Sequence, residues 1–306
     1  MTAAPPPAEE LAELLDEVRR IEVLGRRLAA GALAGGYASV FRGAGVEFDD
    51  VREYAAGDDV RTVDWNVTAR VGRPHVKRFV QERELTVLFL LDLSPSMDGG
   101  WGPLSARRVA ARVCACLGLS AVRNHDRTGL VAFGEGVESF VAPGRGSAHA
   151  VRIVRDCLAL RSAGTRSDPA AALRFAARAV RRHAIVFLLS DFLADGWEDA
   201  LARCARRHDT VAVRLRTPEE DLPARGLLRV RDPEGGRETL LDASSPALRA
   251  AWEARVRRWR ERTAEGIRRA GADLLDVPVP RERVRDAVTG PLLEFFRMRE
   301  RRGAIR

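Results

Sequence analysis

Apolar residues Leu11, Leu14, Leu15, Val18, Ile21, Leu24 and Leu28 recur at three- and four-residue spacing, which predicts an amphipathic helix over about residues 9–30. Acids crowd its first turns and Arg19, Arg20, Arg26 and Arg27 its later ones, as the helix macrodipole favours. Gly31, Gly35 and Gly36 then end it. From residue 39 to 81 the pattern breaks into short segments punctuated by Gly43, Gly45, Gly57, Gly72 and Pro74, which reads as an irregular or β-rich appendage. Beyond residue 85 it changes again: apolar runs at 85–91, 128–133, 184–189, 210–215 and 272–277 alternate with helical stretches at about 104–124, 148–160, 169–182, 197–207 and 246–270. Continuous apolar runs suit strands covered on both faces, and their alternation with helices predicts βαβ units in a mostly parallel sheet. Residues 136–141 are expected to add an antiparallel edge strand. In the last helix Trp252, Val256, Trp259, Thr263 and Ile267 fall on one face.

The fold class that follows is α/β: a doubly wound, mostly parallel sheet preceded by an N-terminal helix and a small irregular or β appendage. Three regions are expected: residues 1–82 for the helix and appendage, 83–280 for the α/β domain, and 281–306 for a C-terminal helix and basic tail.

With 306 residues, 46% of them hydrophobic and 31% charged, the chain can bury a substantial core and fold over most of its length. No stretch approaches the roughly 20 apolar residues that span a bilayer. The start of the chain is proline-rich and then acidic, where an export signal would be basic and then apolar, so a cytoplasmic location is expected. Cys114, Cys116, Cys157 and Cys204 lack the paired spacing of a zinc site and read as reduced, buried thiols. The five histidines show no helical metal-binding spacing. The net charge is +8 and Lys77 is the single lysine, a usage that fits a GC-rich genome as well as it fits a polyanion partner. The arginines are mixed with acids along helices instead of forming a stripe with aromatics, so nucleic acid is not an expected partner.

The first strand of the α/β region runs straight into Asp92-Leu93-Ser94-Pro95-Ser96-Met97. Ligand crevices of open α/β sheets form at such carboxyl ends. A carboxylate and two hydroxyls spaced one residue apart on a tight loop are hard donors suited to Mg²⁺ or Mn²⁺. The plainer reading is a helix cap by Asp92 or Ser94. Two further loops favour the metal: Gly164-Thr165 before the helix near Pro169, and Ser190-Asp191 at the end of the strand at 184–189.

This order resembles the von Willebrand factor A domain, whose metal-ion-dependent adhesion site joins D-x-S-x-S, a loop threonine and a later strand-end aspartate. The resemblance implies that Asp92, Ser94, Ser96 and Thr165 contact or approach the ion, that Asp191 acts directly or through water, and that an open position accepts a partner's carboxylate. A second resemblance covers nearly the whole chain. Gly45-Val46-Glu47-Phe48, Arg52-Glu53-Tyr54, Gly57-Asp58-Asp59-Val60-Arg61, Asp64-Trp65, Ala69-Arg70, Val76-Lys77 and Glu82 look like the signature of the domain of unknown function 58 family. Many relatives carry membrane helices before this region; the present sequence resembles the short members without them. Ala163 stands where a glycine is common, a departure that spares the oxygen ligands.

Within the signature, Asp58, Asp59, Asp64, Arg52, Arg61 and Arg70 read as an acid–arginine network locking the appendage onto the sheet, since bidentate arginine–carboxylate bonds are strong and directional. The alternative is a second, catalytic site, but no nucleophile and base accompany the acids. The family resemblance implies a metal-dependent protein-binding or assembly module, not an enzyme, with a MoxR-type AAA+ ATPase as partner. The competing reading is a Mg²⁺-dependent hydrolase of phosphate or ester substrates. Against it, Ser94 replaces the second carboxylate of a D-x-D phosphatase loop, and neither a phosphate loop nor a G-x-S-x-G elbow is present.

Overall fold

The computed structural model describes Arg19, Val23 and residues 45–55, 63–82, 84–162, 164–224, 226–282 and 288–303. The predicted N-terminal helix lies outside the described residues apart from Arg19 and Val23, which are both helical. Two compact units divide the chain, one of residues Phe41–Leu85 and one of Met1–Val40 with Thr86–Arg306.

In the smaller unit, β1 (Gly45–Glu53) pairs antiparallel with β2 (His75–Glu82), with a bulge between Phe48 and Asp50. Between them lies the short helix α1 (Trp65–Val71). Asp64 caps it, its Oδ1 accepting from the Val67 amide at 3.2 Å, and Thr68 Oγ1 accepts from the His75 amide at 3.1 Å, tying helix to strand. Glu47 and Arg52 therefore lie on β1 and Trp65 and Arg70 on α1. Tyr54 is half-buried and its amide donates to Pro74 O, while Trp65 is 68% exposed. Asp58, Asp59 and Arg61 lie outside the described residues.

The larger unit is built on a sheet whose strands are β3 (Thr86–Asp92), β4 (Arg127–Phe133), β5 (Val137–Gly144), β6 (Ile185–Ser190), β7 (Asp209–Arg216) and β10 (Asp273–Pro278). Their order across the sheet is β10-β7-β6-β3-β4-β5. All neighbours are parallel except β5, which runs antiparallel to β4 at the edge. The chain steps outward from β3 to β5, then returns to the other side of β3 to begin again with β6. That reversal makes the boundary between β3 and β6 the topological switch point, where the loops leaving the two strands diverge and open a crevice.

Alternate residues of the strands face two helical layers. Leu88, Leu90, Val131, Phe133, Val186, Leu188 and Ala212 pack against α4 (Pro169–Ala179), α5 (Glu198–Ala205) and the end of α6 (Pro246–Arg269). Phe89 faces the other way, stacked on Phe187 at 5.8 Å and close under Gly118 of α2 (Ala106–Arg123), which itself packs on α3 (Ser147–Ala159). Both faces being covered is why strands β3 and β6 are buried along nearly their whole length. Helix starts follow their caps: Ser105, Asp168 and Ser245 accept from the amides of Arg108, Ala171 and Leu248, and proline fills the first position of α4 and α6. On α6 the predicted face is the one turned inward, with Thr263 and Ile267 buried and the Trp252 Nε1 donating to Glu220 O at 3.0 Å.

The C-terminal helix α7 (Thr289–Gly303) buries Leu292, Phe295 and Phe296, and its Arg299 bridges Asp209 of β7 and Asp273 of β10. In the larger unit a two-stranded hairpin of β8 (Leu227–Arg231) and β9 (Glu238–Asp242) has no counterpart in the sequence expectations, as the helix α1 has none in the smaller. All four cysteines are buried and none forms a disulfide. Among the described residues no helix is long and apolar enough to cross a membrane.

Candidate functional site

β3 ends on Asp92, in register with Phe133 of β4, and β6 ends beside it on Ser190, with Asp191 following. Asp92 and Ser94 are fully buried and Asp191 is 5% exposed. Charged groups at that depth are stable only if hydrogen-bonded, paired or liganded. Asp92 is well supplied with hydrogen bonds. Its Oδ1 accepts from the Ser94 amide at 2.9 Å, and its Oδ2 from the hydroxyls of Ser167 and Ser190, each at 2.7 Å. The Ser94 and Ser96 hydroxyls lie 3.1 Å apart above it.

Asp191 is less well served. Its Oδ1 accepts from the Leu193 amide at 3.1 Å, but its Oδ2 is buried without a hydrogen-bond partner. Burial, reinforced by the neighbouring Asp92 charge, pushes its carboxyl up to about 7; the Ser96 hydroxyl opposes this, though no well-aligned hydrogen bond reaches Oδ2. Burial also raises Asp92, against the pull of its serine partners. Among the described residues no cationic side chain pairs with either carboxylate. Phe192, between the two short turns that Ser190 and Asp191 make, is held at a φ of 59° that a non-glycine residue rarely adopts, anchored by an edge-on contact with Trp197 at 5.3 Å. Such outliers persist where the surroundings over-determine them, and they concentrate at functional sites.

The loop preceding α4 is pinned from the β4–β5 turn. The Thr165 amide donates to Glu135 Oε1 at 3.2 Å and the Asp168 amide to Gly134 O at 2.7 Å. Thr165 itself is exposed, and it is Ser167, two residues on, whose hydroxyl reaches Asp92. Four of the five sequence-predicted residues, Asp92, Ser94, Ser96 and Asp191, thus converge; Thr165 lies on the adjoining loop with its side chain outside that hydrogen-bonded cluster. Ser167 and Ser190 join the cluster without having been singled out. Ser190 adjoins Asp191 in sequence and could have been found from that position, whereas nothing in the sequence distinguishes Ser167 from the other loop hydroxyls.

Arg107 of α2 is a further unanticipated participant. It is buried, its Nε lies 2.6 Å from Asp98 Oδ1 just past the D-x-S-x-S turn, and its Nη1 donates to Leu160 O, where the Thr165 loop begins. One guanidinium therefore braces two of the three site loops.

Chemically the crevice offers hard oxygens only. Among the described residues no three His, Cys, Asp or Glu side chains gather into a ready-made metal cluster, so an ion here would be held by two carboxylates, hydroxyls and water. The buried, unpartnered Asp191 Oδ2, beside a second carboxylate, is the feature that such an ion would satisfy.

The chain is similar over 299 residues, at 31% identity, to uncharacterized proteins of Mycobacterium bovis and Mycobacterium tuberculosis, covering 96% of the present chain and 92% of each relative. Among solved structures it is similar to the hypothetical protein BatB of Bacteroides thetaiotaomicron (13% identity, 72% of this chain and 100% of that one, TM-score 0.42). It is also similar to an aerotolerance-related membrane protein of Bacteroides fragilis (15%, 71% and 99%, TM-score 0.43). The family model described as a protein of unknown function, DUF58, matches residues 50–262, and the chain belongs to that family.

Proposed function

We propose that this protein is a metal-dependent protein-binding module with a von Willebrand factor A-like adhesion site, working with a MoxR-type AAA+ ATPase in the assembly or maturation of other complexes. The observation that carries the metal reading is the buried, unpartnered Oδ2 of Asp191 next to the buried Asp92, on loops at the switch point of a doubly wound sheet. Asp92, Ser94, Ser96 and Asp191 would hold Mg²⁺ or Mn²⁺, with Thr165 or Ser167 completing the donors from the third loop. The bound cation supplies a positive charge with an exchangeable position, to which a partner's Asp or Glu can be directed. The protein's own groups do the rest: Asp92 orients the serines, Arg107 sets the spacing of the loops, and the covered sheet keeps water from the carboxylates' inner side.

Binding is favoured over hydrolysis because, among the described residues, the hydroxyls of Ser94, Ser96, Ser167 and Ser190 bond to one another and to Asp92, not to a histidine that would activate them. A cytoplasmic place belongs to the same reading, with which four buried cysteines outside any disulfide are consistent. The ATPase partner rests on the family resemblance alone.

Calorimetric titration with Mn²⁺ tests the metal. The wild-type chain should bind one ion, and Asp92→Ala should abolish binding while leaving the thermal transition cooperative. Undiminished affinity in that variant would sink the assignment.

A further inference from the structure

A cavity of about 420 Å³ opens at the carboxyl ends of β7 and β10, where Arg216 and Pro278 close the two strands. Arg216, Arg260 of α6 and Arg281 line it, with Asp221 and Glu282 as the acids of its wall. The arginines are not equally served. Arg260 donates to Glu220 Oε2, and Arg281 Nη2 donates to Asp221 Oδ2 at 2.5 Å. The other oxygen of Glu220 accepts from the Thr217 amide at 3.2 Å, so that buried carboxylate is engaged on both sides. Arg216 Nε lies 3.6 Å from the Glu220 Oε2 that Arg260 already holds, beyond hydrogen-bond reach, and it is buried without a hydrogen-bond partner. Among the described residues the Arg216 side chain makes no hydrogen bond. A guanidinium presents a planar fork of five N–H donors that matches a carboxylate, and a half-buried one left unused is a vacancy for an anion.

This cavity and the Asp92–Asp191 crevice open on the same end of the sheet. The strands concerned are parallel neighbours in the order β10-β7-β6-β3. With about 4.8 Å between neighbours, the middles of the two openings stand two strand spacings, or about 10 Å, apart. The loop that follows the D-x-S-x-S turn runs from one to the other. Gly100 takes a φ of 113°, and the Trp101 amide donates to Glu219 Oε1 at 2.6 Å. Gly102 lies so close to the cavity's rim that a Cβ there would stand 3.0 Å from Pro280 O and 3.4 Å from Pro218 Cγ. Trp101, half exposed, is thereby carried on a fastened backbone between the metal motif and the arginines.

We propose that the Arg216–Arg260–Arg281 cavity is a second carboxylate site, taking an Asp or Glu of the same protein partner whose other acidic side chain reaches the metal. The pairing of the two rests on the metal-binding reading above; the arginine site stands without it. An acidic protein segment is favoured over a small free anion because Trp101 offers apolar contact area between the two openings, which a small anion leaves unused. Once one carboxylate is seated, the second binds at the effective concentration set by the short chain between them. A partner with acids about 10 Å apart is thereby selected over one that presents a single acid.

The test titrates the full chain into fluorescein-labelled hexaglutamate, read by anisotropy with Mg²⁺ or with chelator. Arg216→Gln and Arg281→Gln should each weaken the peptide on the order of tenfold, with the ion or without it, by removing a charged hydrogen-bond donor. Arg257→Gln removes an equal charge from the exposed face of α6 and should leave the affinity within about twofold. Equal losses in all three variants would reduce the effect to long-range charge, and no loss in Arg216→Gln and Arg281→Gln would leave the cavity without a ligand; either result overturns the proposal. Wild-type affinity that ignores both chelator and Asp92→Ala, with the two arginine losses intact, would overturn the metal reading and the pairing while upholding the arginine site. Inorganic phosphate displacing the peptide at lower concentration than acetate would overturn the choice of a carboxylate.

Discussion

His208 is 2% exposed at the end of α5, and neither ring nitrogen has a hydrogen-bond partner. Burial first, then the nearby charges of Arg207 and His183, lowers its pKa from 6.5 to about 4. The folded chain therefore binds this proton less readily than the unfolded one. The stability linked to His208 is fully present above pH 6.5 and is lost as pH falls toward 4, by up to about 1.4 kcal/mol per pH unit. His208→Leu should flatten the wild-type decline in urea-unfolding free energy between about pH 6.5 and 4.5; an equal decline in both proteins would show that the imidazole is hydrated when folded. Asp191 shows the opposite sign. Its raised carboxyl favours the protonated, metal-free state, so its contribution without metal falls as pH rises toward 7. Burial thus drives the two groups in opposite directions, each toward its neutral form.

Arg107 shows how an element carries the site. It sits in the first turn of α2, whose Ser105 cap and buried small residues set it deep enough to reach both Asp98 and Leu160 O. Arg107→Met would keep most of the packing but leave Asp98 without its buried partner and the Leu160 carbonyl with Arg161 alone, costing about 1.5–3 kcal/mol. Because the two loops would lose their common brace, Mn²⁺ affinity should fall several-fold as well; a destabilised variant with wild-type affinity would make Arg107 purely structural. Elements of this kind were legible where a physical period or cap marks them. The apolar runs of β3 and β6, the paired edge β5, the Asp168–Pro169 start of α4 and the inward face of α6 are all readable because both faces or one stripe must be buried. The β8–β9 hairpin was not, since β8 alternates only between exposed and half-buried and β9 is exposed almost throughout; only Gly235-Gly236 hinted at the turn. At the site the D-x-S-x-S spacing fixes which residues share a loop, but not which hydroxyl of the third loop turns toward Asp92. That choice falls to Ser167 because the loop is hung from Glu135 and Gly134, contacts made across 30 residues or more.

At the scale of the whole molecule two kinds of attraction can be separated. The net charge of +8 is spread over many arginines and acts at a distance, so it speeds encounter with an acidic partner and fades as salt shortens the screening length to about 8 Å at physiological strength. A metal bridge acts only in contact and is much less screened. Beside it, Leu193 follows Asp191 at 55% exposure and Trp101, at 51%, ends the turn region that follows Ser96, leaving apolar side chains on two of the site's loops. Exposed aromatics around a polar centre are what protein interfaces use for contact area. The proposed ATPase partner should therefore associate faster at low salt through the charge, yet stay bound at high salt through the metal and these apolar neighbours. In a surface-binding experiment, raising salt should lower the association rate with little change in dissociation, whereas chelator, Ser96→Ala or Asp191→Ala should speed dissociation. Binding that survives both chelator and Asp92→Ala unchanged would place the contact away from the metal loops, with the unit of residues 41–85 the next surface to test.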